Sequence, residues 1–141
     1  FPNIVVGIKD SSGEWKNTEA LLGIDELIVY PGAELPVIDA IKLGAPGCIS
    51  ATANLNSSDI AKVINLCHDN EWNNAEELHK KVKSVRMLFQ DYAPIPAQKR
   101  LLAMKTGNDI WSIVRPPLLS MSKEKGQELA KELNDNYGYS F

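Results

Sequence analysis

The stretch VVGIKDSSG, Val5 to Gly13, decides the fold class of this chain. Apolar, mostly β-branched residues without alternation favour a strand buried on both faces, so Asn3 to Lys9 is predicted as a strand. The polar residues Asp10 to Gly13 are typical of a turn that ends it. Lys9 therefore lies at the carboxyl end of a buried strand. It is either a charge that leaves the strand and reaches solvent, or an amine held in a site.

Strands and helices alternate after this stretch. Predicted helices follow each strand, and the predicted elements in order are the helix Trp15–Leu22, the strand Leu27–Tyr30, the helix Glu34–Leu43, the strand Gly47–Ala51 and a helix that begins after Asn56, Ser57 and Ser58. Such alternation favours parallel strands joined by right-handed crossovers. Residues 1–70 are therefore predicted to be α/β, with three parallel βα units.

Residues 71–141 are predicted to be a helical region that forms a single folding unit with residues 1–70. The predicted helices are Glu71–Tyr92, which Pro94 and Pro96 break, then Ala97–Lys105 and Lys123–Asn136. The first carries an apolar stripe of Leu78, Val82, Val85, Leu88 and Phe89. We expect this stripe to pack inside the chain, with self-association as the alternative.

Composition excludes several classes of function. The chain has 141 residues, a net charge of −3, 44% hydrophobic and 23% charged residues, which is typical of a globular domain. It has no basic cluster for nucleic acid, no apolar run of about 20 residues for a membrane span and no signal segment. A cytoplasmic protein is therefore expected. The chain begins without Met, close to its first strand, so we expect it to be the later part of a longer protein or to have lost residues.

Cysteine and histidine spacing predicts no metal or disulfide site. Cys48 and Cys67 lack CxxC spacing and are expected to be reduced and buried. His68 and His79 are expected at the surface or at helix caps. Arg100 is expected, with Lys99, on a solvated face. No metal and no cofactor are predicted.

Lys9 suggests carbonyl chemistry. A lysine amine must be neutral to attack a carbonyl, and burial at a strand end lowers its pKa. In a (β/α)8 barrel, the carboxyl ends of the strands form the active face. Gly32 and Glu34 follow the second predicted strand, and Ser50 and Thr52 lie at the third. The predicted pocket thus combines a lysine, a glycine that permits close approach, and small hydroxyls.

Four motifs, VVGIKDSSG, YPGAE, GAPGCISATAN and IPAQKRLLAMKTG…VRPPL, occur in this order. Together they resemble the C-terminal half of the dihydrodipicolinate synthase and N-acetylneuraminate lyase family, which are pyruvate-dependent class I aldolases on (β/α)8 barrels. The resemblance covers essentially the whole chain. It implies a partial barrel, strands six to eight followed by C-terminal helices, helix-rich and open to rearrangement on truncation. A whole barrel takes about 250 residues.

The resemblance implies roles for individual residues. Lys9 matches the catalytic lysine that forms a Schiff base with the keto carbon of pyruvate. Gly32 matches a glycine that lets the substrate approach the backbone, and Glu34 and Ser50 are implied to bind substrate. Ile49 matches a residue whose main chain lies beside the lysine, and its side chain is expected to pack in the barrel. The alternative for Gly32 is an ordinary turn glycine.

One difference from the family pattern limits the choice of the second substrate. The sialic acid lyases follow the acid at the position of Glu34 with a second acid, where this chain has Leu35. This argues against sialic acid. The motifs are also similar to members that act on 2-keto-3-deoxy sugar acids and to synthase-like members.

Two family features fall outside this sequence: the tyrosine that relays protons and the loop that binds the pyruvate carboxylate. The first hypothesis is therefore the lysine-bearing half of a pyruvate-dependent lyase or synthase, with little or no activity by itself. The alternative is a non-catalytic truncated relative that persists as an oligomeric structural protein. A third is a remnant that binds a keto acid noncovalently. The implied partners are a 2-keto acid such as pyruvate and further copies of the chain, as a dimer or tetramer.

Overall fold

The computed structural model describes residues 4–141, which form two compact units. The first unit ends at Lys83 and the second is Ser84–Phe141, so the boundary falls inside a helix. The predicted parts, residues 1–70 and 71–141 as one folding unit, stay a prediction. The elements are β1 (Gly7–Asp10), α1 (Trp15–Leu22), β2 (Ile28–Pro31), α2 (Val37–Lys42), α3 (Ala53–His68), α4 (Trp72–Leu88), α5 (Pro94–Thr106) and α6 (Lys123–Tyr137), with 3-10 turns at Phe89–Asp91 and Asp109–Ser112.

Strands β1 and β2 pair in parallel, as the alternation of strands and helices predicts. Lys9 lies beside Tyr30, and Asp10 lies beside Pro31. Because side chains alternate along a strand, Lys9 and Tyr30 share one face of the sheet. On the other face Asp10, Val29 and Pro31 are buried. The face that carries Asp10 is therefore covered at the strand ends, although Ile8 on it is 40% exposed, and the face that carries Lys9 is open.

The third predicted strand, Gly47–Ala51, is wrong for the described residues. Their sheet contains β1 and β2 alone. The amide of Ile49 donates to the carbonyl of Pro31 at 2.9 Å, so the segment lies beside β2. A parallel ladder needs repeated bonds in both directions, and this single bond does not make one. The first predicted strand is also shorter, because β1 begins at Gly7; Asn3 lies outside the described residues.

The core of the first unit lies between α2, α3 and α4. It contains the buried side chains of Val37, Ile38, Ile60, Val63, Cys67, Ala75 and Val82. The burial of Val82 confirms that the apolar stripe of α4 packs within the chain at this position. Cys48 is half-buried and packs against this core. Burial, together with the nearby charge of Glu34, raises the pKa of the Cys48 thiol to about 11.

Several helix boundaries differ from the sequence prediction: α2 is Val37–Lys42 rather than Glu34–Leu43, and α4 is Trp72–Leu88 rather than Glu71–Tyr92. The predicted break before Pro94 is present, but α5 begins at Pro94 rather than at Ala97, because the first helical turn needs no amide donors from these positions. Asn56 lies inside α3, at a kink with φ −122° and ψ 31°. The regular part of α3 therefore follows Asn56, while a preceding turn extends the helix back to Ala53.

Arg100 organises the second unit, and its predicted place on a solvated face is wrong. Its residue is 7% exposed. Nε donates to the carbonyl of Met121 at 3.0 Å, and a guanidinium nitrogen lies 3.3 Å from the carboxylate of Asp109. Its aliphatic stem lies against Gly126 on α6. Arg100 is buried because Gly126 has no side chain, which leaves room on α6 for the stem of Arg100.

Residues 4–141 contain no helix whose length and apolar character would let it cross a bilayer. Over the same residues, no group of three or more His, Cys, Asp or Glu side chains is arranged to hold a metal ion.

Candidate active site

Lys9 lies on the open face of the sheet, one residue before the end of β1. Its residue is exposed, so the burial expected for it is not observed. The reason is that the described residues cover the opposite face, where Asp10 and Val29 lie. The amine is accessible from the side on which Tyr30 also projects.

Asp10 fixes the turn that follows Lys9. Its carboxylate accepts a hydrogen bond from the hydroxyl of Thr18 on α1 at 2.6 Å and one from the amide of Ser12 at 3.0 Å. The Thr18 bond is the main cause of a lowered pKa of Asp10. These bonds hold the end of β1 onto α1 and restrict the backbone next to Lys9.

Gly32 lies against the same turn. Its amide donates to the carbonyl of Asp10 at 2.6 Å. A Cβ at Gly32 would lie 2.8 Å from that carbonyl oxygen and 2.8 Å from Oγ of Ser11. Real Cβ atoms do not approach this closely, so the glycine lets the two strand ends meet. This contact requires a glycine at position 32, and its role towards a substrate stays a prediction.

Glu34 is wholly buried, and its carboxylate accepts hydrogen bonds from the hydroxyls of Ser50 and Thr52. The two hydroxyl oxygens are 3.0 Å apart. A buried carboxylate needs such donors, because burial without them is costly. The structure thus brings together Glu34, Ser50 and Thr52, which the sequence placed at two neighbouring strand ends.

Ile49 precedes Ser50 in the chain and is held to β2 through its backbone. The hydrogen bond from its amide to the carbonyl of Pro31 places Ile49 at the end of β2. Pro31 is also the residue that pairs with Asp10 on β1. Its side chain, expected to pack in a barrel, is 47% exposed. It lies uncovered because the described residues provide no layer over it.

His79 is the site residue that sequence reasoning missed. It was expected at the surface or at a cap, but it is 4% exposed. Its Nε2 donates to the carbonyl of Glu34 at 2.8 Å. Burial lowers the pKa of His79. The available signal was helical spacing, since Ala75, His79 and Val82 recur on one face of α4 and are all buried.

The chain matches the model of the Dihydrodipicolinate synthetase family over residues 1–136. It is 30% identical over 132 residues to 4-hydroxy-tetrahydrodipicolinate synthase of Thermodesulfovibrio yellowstonii, covering 92% of this chain and 44% of that protein. The chain thus spans less than half the length of this relative.

Solved structures share the fold of this chain over a little less than half of their own length. Dihydrodipicolinate synthase from Agrobacterium tumefaciens is 29% identical with a TM-score of 0.76, covering 97% of this chain and 45% of that one. N-acetylneuraminate lyase from Fusobacterium nucleatum, solved in complex with pyruvate, is 21% identical with a TM-score of 0.79, covering 94% and 45%. The latter likeness concerns the fold alone.

Proposed function

Because the chain belongs to the dihydrodipicolinate synthetase family, we propose that it carries the lysine of a pyruvate-dependent aldolase. Lys9 would form a Schiff base with a 2-keto acid such as pyruvate. The observation that supports this most directly is the position of Lys9 at the carboxyl end of β1, exposed and one residue from the Asp10–Gly32 contact. An amine at this place is accessible to a carbonyl compound and held by a fixed turn.

The proposed step begins with a neutral amine. Nζ of Lys9 attacks the keto carbon of pyruvate, and the carbonyl oxygen takes up a proton. Loss of that oxygen as water gives a protonated imine, which withdraws electrons from the adjacent carbon–carbon and carbon–hydrogen bonds. Loss of a methyl proton then yields an enamine that attacks an aldehyde; the lyase direction runs in reverse.

We propose complementary roles for the neighbouring residues. Gly32 and the main chain of Ile49 would border the bound keto acid where the strand ends meet. Ser50 is half-exposed and would face the ligand. Glu34 would act through Ser50, because its carboxylate is buried and already bound to hydroxyls.

We further propose that this chain by itself carries out the imine step but turns over slowly. General acid–base catalysis and oxyanion stabilisation each contribute large factors to such reactions. The resemblance assigns those groups to a tyrosine and a loop outside residues 1–141. A second substrate with an aldehyde group, such as the precursor of a 2-keto-3-deoxy sugar acid, fits the motifs.

Borohydride trapping tests the proposal. The chain is incubated with pyruvate and sodium borohydride, and the intact mass and the modified peptide are measured. We expect a reduced adduct on Lys9. Lys9→Met abolishes it, and Lys16→Met, which changes an exposed lysine on α1, keeps it. A folded chain without an adduct, or with an adduct spread over several lysines, contradicts the proposal.

Exposed apolar residues favour a second candidate function, a non-catalytic oligomer. In the first unit Ile4 is 76% exposed, Val5 58% and Val6 61%. Adjacent exposed apolar residues are typical of surfaces that associate. Sedimentation velocity tests this: a dimer or tetramer that traps no pyruvate supports the structural role, and a monomer that traps it excludes it.

A further inference from the structure

We propose that His79 is a positioning residue for the keto-acid site. It would hold the loop between β2 and α2, which carries Gly32 and Glu34, at the place where the ligand binds. The inference rests on the proposed Schiff-base function. It is carried by the hydrogen bond from Nε2 of His79 to the carbonyl oxygen of Glu34, 2.8 Å long and joining residues 45 positions apart.

The bond has a defined direction. A carbonyl oxygen only accepts, so Nε2 carries the proton and donates it. The side chain is 4% exposed, and water therefore competes little for this bond. The same oxygen also accepts the amide of Val37 at 3.2 Å, at the start of α2. His79 thus ties the loop to α4, while the amide of Val37 ties it to α2, the helix that follows.

The bond belongs to a connected series. Glu34 is held through its backbone by His79 and through its carboxylate by Ser50 and Thr52. The backbone two residues before Glu34 is held by the bond between Gly32 and Asp10. A shift of Glu34 would therefore reach both Ser50 and the turn beside Lys9. His79 would thus act by fixing the position of this loop, without contacting the keto acid.

Three variants separate this role from general stability. His79→Leu removes the donor and His79→Gln retains one. Val82→Ala is the matched control, since Val82 lies three residues along α4, is wholly buried and has an apolar side chain that donates no hydrogen bond. Two quantities are measured for each: the pyruvate concentration that gives half-maximal borohydride trapping on Lys9, with its maximal rate, and the hydrogen exchange of the amides of Gly32 and Val37.

We expect His79→Leu to raise the half-saturating pyruvate concentration about fivefold, the worth of one typical hydrogen bond, with the maximal trapping rate changed less than about twofold. His79→Gln should restore most of the affinity, and Val82→Ala should leave it unchanged. An equal shift in Val82→Ala, or none in His79→Leu, overturns the proposal.

Failure of the proposed function gives a different result. If the unaltered chain traps no pyruvate on Lys9, the Schiff-base function is lost, and the exchange data decide the role of His79. Faster exchange at Gly32 and Val37 in His79→Leu, absent in Val82→Ala, supports the positioning of the loop. Equal exchange in both variants overturns it.

Discussion

The amide nitrogen of Gly32 lies 2.6 Å from the carbonyl oxygen of Asp10, so β2 ends against the residue that follows Lys9. A methyl group does not fit at this contact, where a Cβ would meet the same oxygen at 2.8 Å. The glycine therefore links the geometry of β2 to the position of the candidate lysine.

Gly32→Ala tests this link. We expect a loss of about 1–3 kcal/mol in the free energy of unfolding, as in other overpacked sites, and weaker pyruvate trapping on Lys9. Urea unfolding and borohydride trapping measure the two effects. Gly23→Ala is the control, because its φ is −79° and its Cβ would have its nearest neighbour at 3.5 Å. Equal stability of the two variants would contradict the steric argument.

Stability should fall in mild acid because of His79. Burial is the main cause of the lowered pKa of His79, and the charge of Lys83 on α4 lowers it further. The hydrogen bond from His79 to the backbone of Glu34 raises this pKa, as do the charges of Glu34 and of Asp39 on α2, but burial outweighs them. The unfolded chain then binds a proton first, so stability is lost as the pH falls below the ordinary histidine value of 6.5. The slope for this one group is at most about 1.4 kcal/mol per pH unit.

Urea unfolding between neutral and mildly acidic pH measures this dependence. His79→Gln should flatten it over that range, because glutamine does not titrate. Val82→Ala should lower stability by a similar amount at every pH. A His79→Gln profile as steep as that of the unaltered chain would show that other groups cause the acid sensitivity.

The stem of Arg100 should make Gly126→Ala unfavourable, although alanine usually stabilises a helix interior by about 1 kcal/mol. A Cβ at Gly126 would clash with Cγ of Arg100 and lie 3.0 Å from its Cδ. We expect a loss of about 1–3 kcal/mol in unfolding free energy. In an Arg100→Ala background the same change should become neutral or stabilising. Additive effects in this double-mutant cycle would contradict the contact.

The buried carboxylate of Glu34 should make its two hydroxyl partners important for stability. Thr52→Val keeps the shape of the side chain but removes one donor, and we expect a cost of about 1–3 kcal/mol. Thr106→Val is the control, since the hydroxyl of Thr106 donates to a carbonyl at an exposed position. Combined with Glu34→Gln, the Thr52→Val cost should shrink. Thermal or urea unfolding of the four proteins gives the coupling.

Local patterns in the sequence predicted most of the helices and the two strands that pair. The predicted helix Trp15–Leu22 has those bounds in the structure, and the helix predicted for Lys123–Asn136 is α6. Both carry their own apolar spacing and a glycine directly after or near their last residue. The family assignment, first drawn from four short motifs, is confirmed by the match over residues 1–136.

Burial was harder to predict, because it depends on partners distant in sequence. Arg100 is buried because Gly126 leaves space on α6, and His79 because the carbonyl of Glu34 faces it. The exposure of Lys9 and Ile49 has the same origin, since the described residues cover one face of the sheet and leave the other open.

The sequence by itself determined most of the helices, the two strands that pair, the family and the lysine at the end of β1, because apolar period and turn residues are local properties. Tertiary structure alone decided that Glu34 is clamped by Ser50, Thr52 and His79, that Gly32 meets Asp10, and that residues 47–51 lie beside β2 without completing a strand. These contacts depend on how distant segments pack, and a hydrogen bond between residues 45 positions apart leaves no periodic trace in the chain.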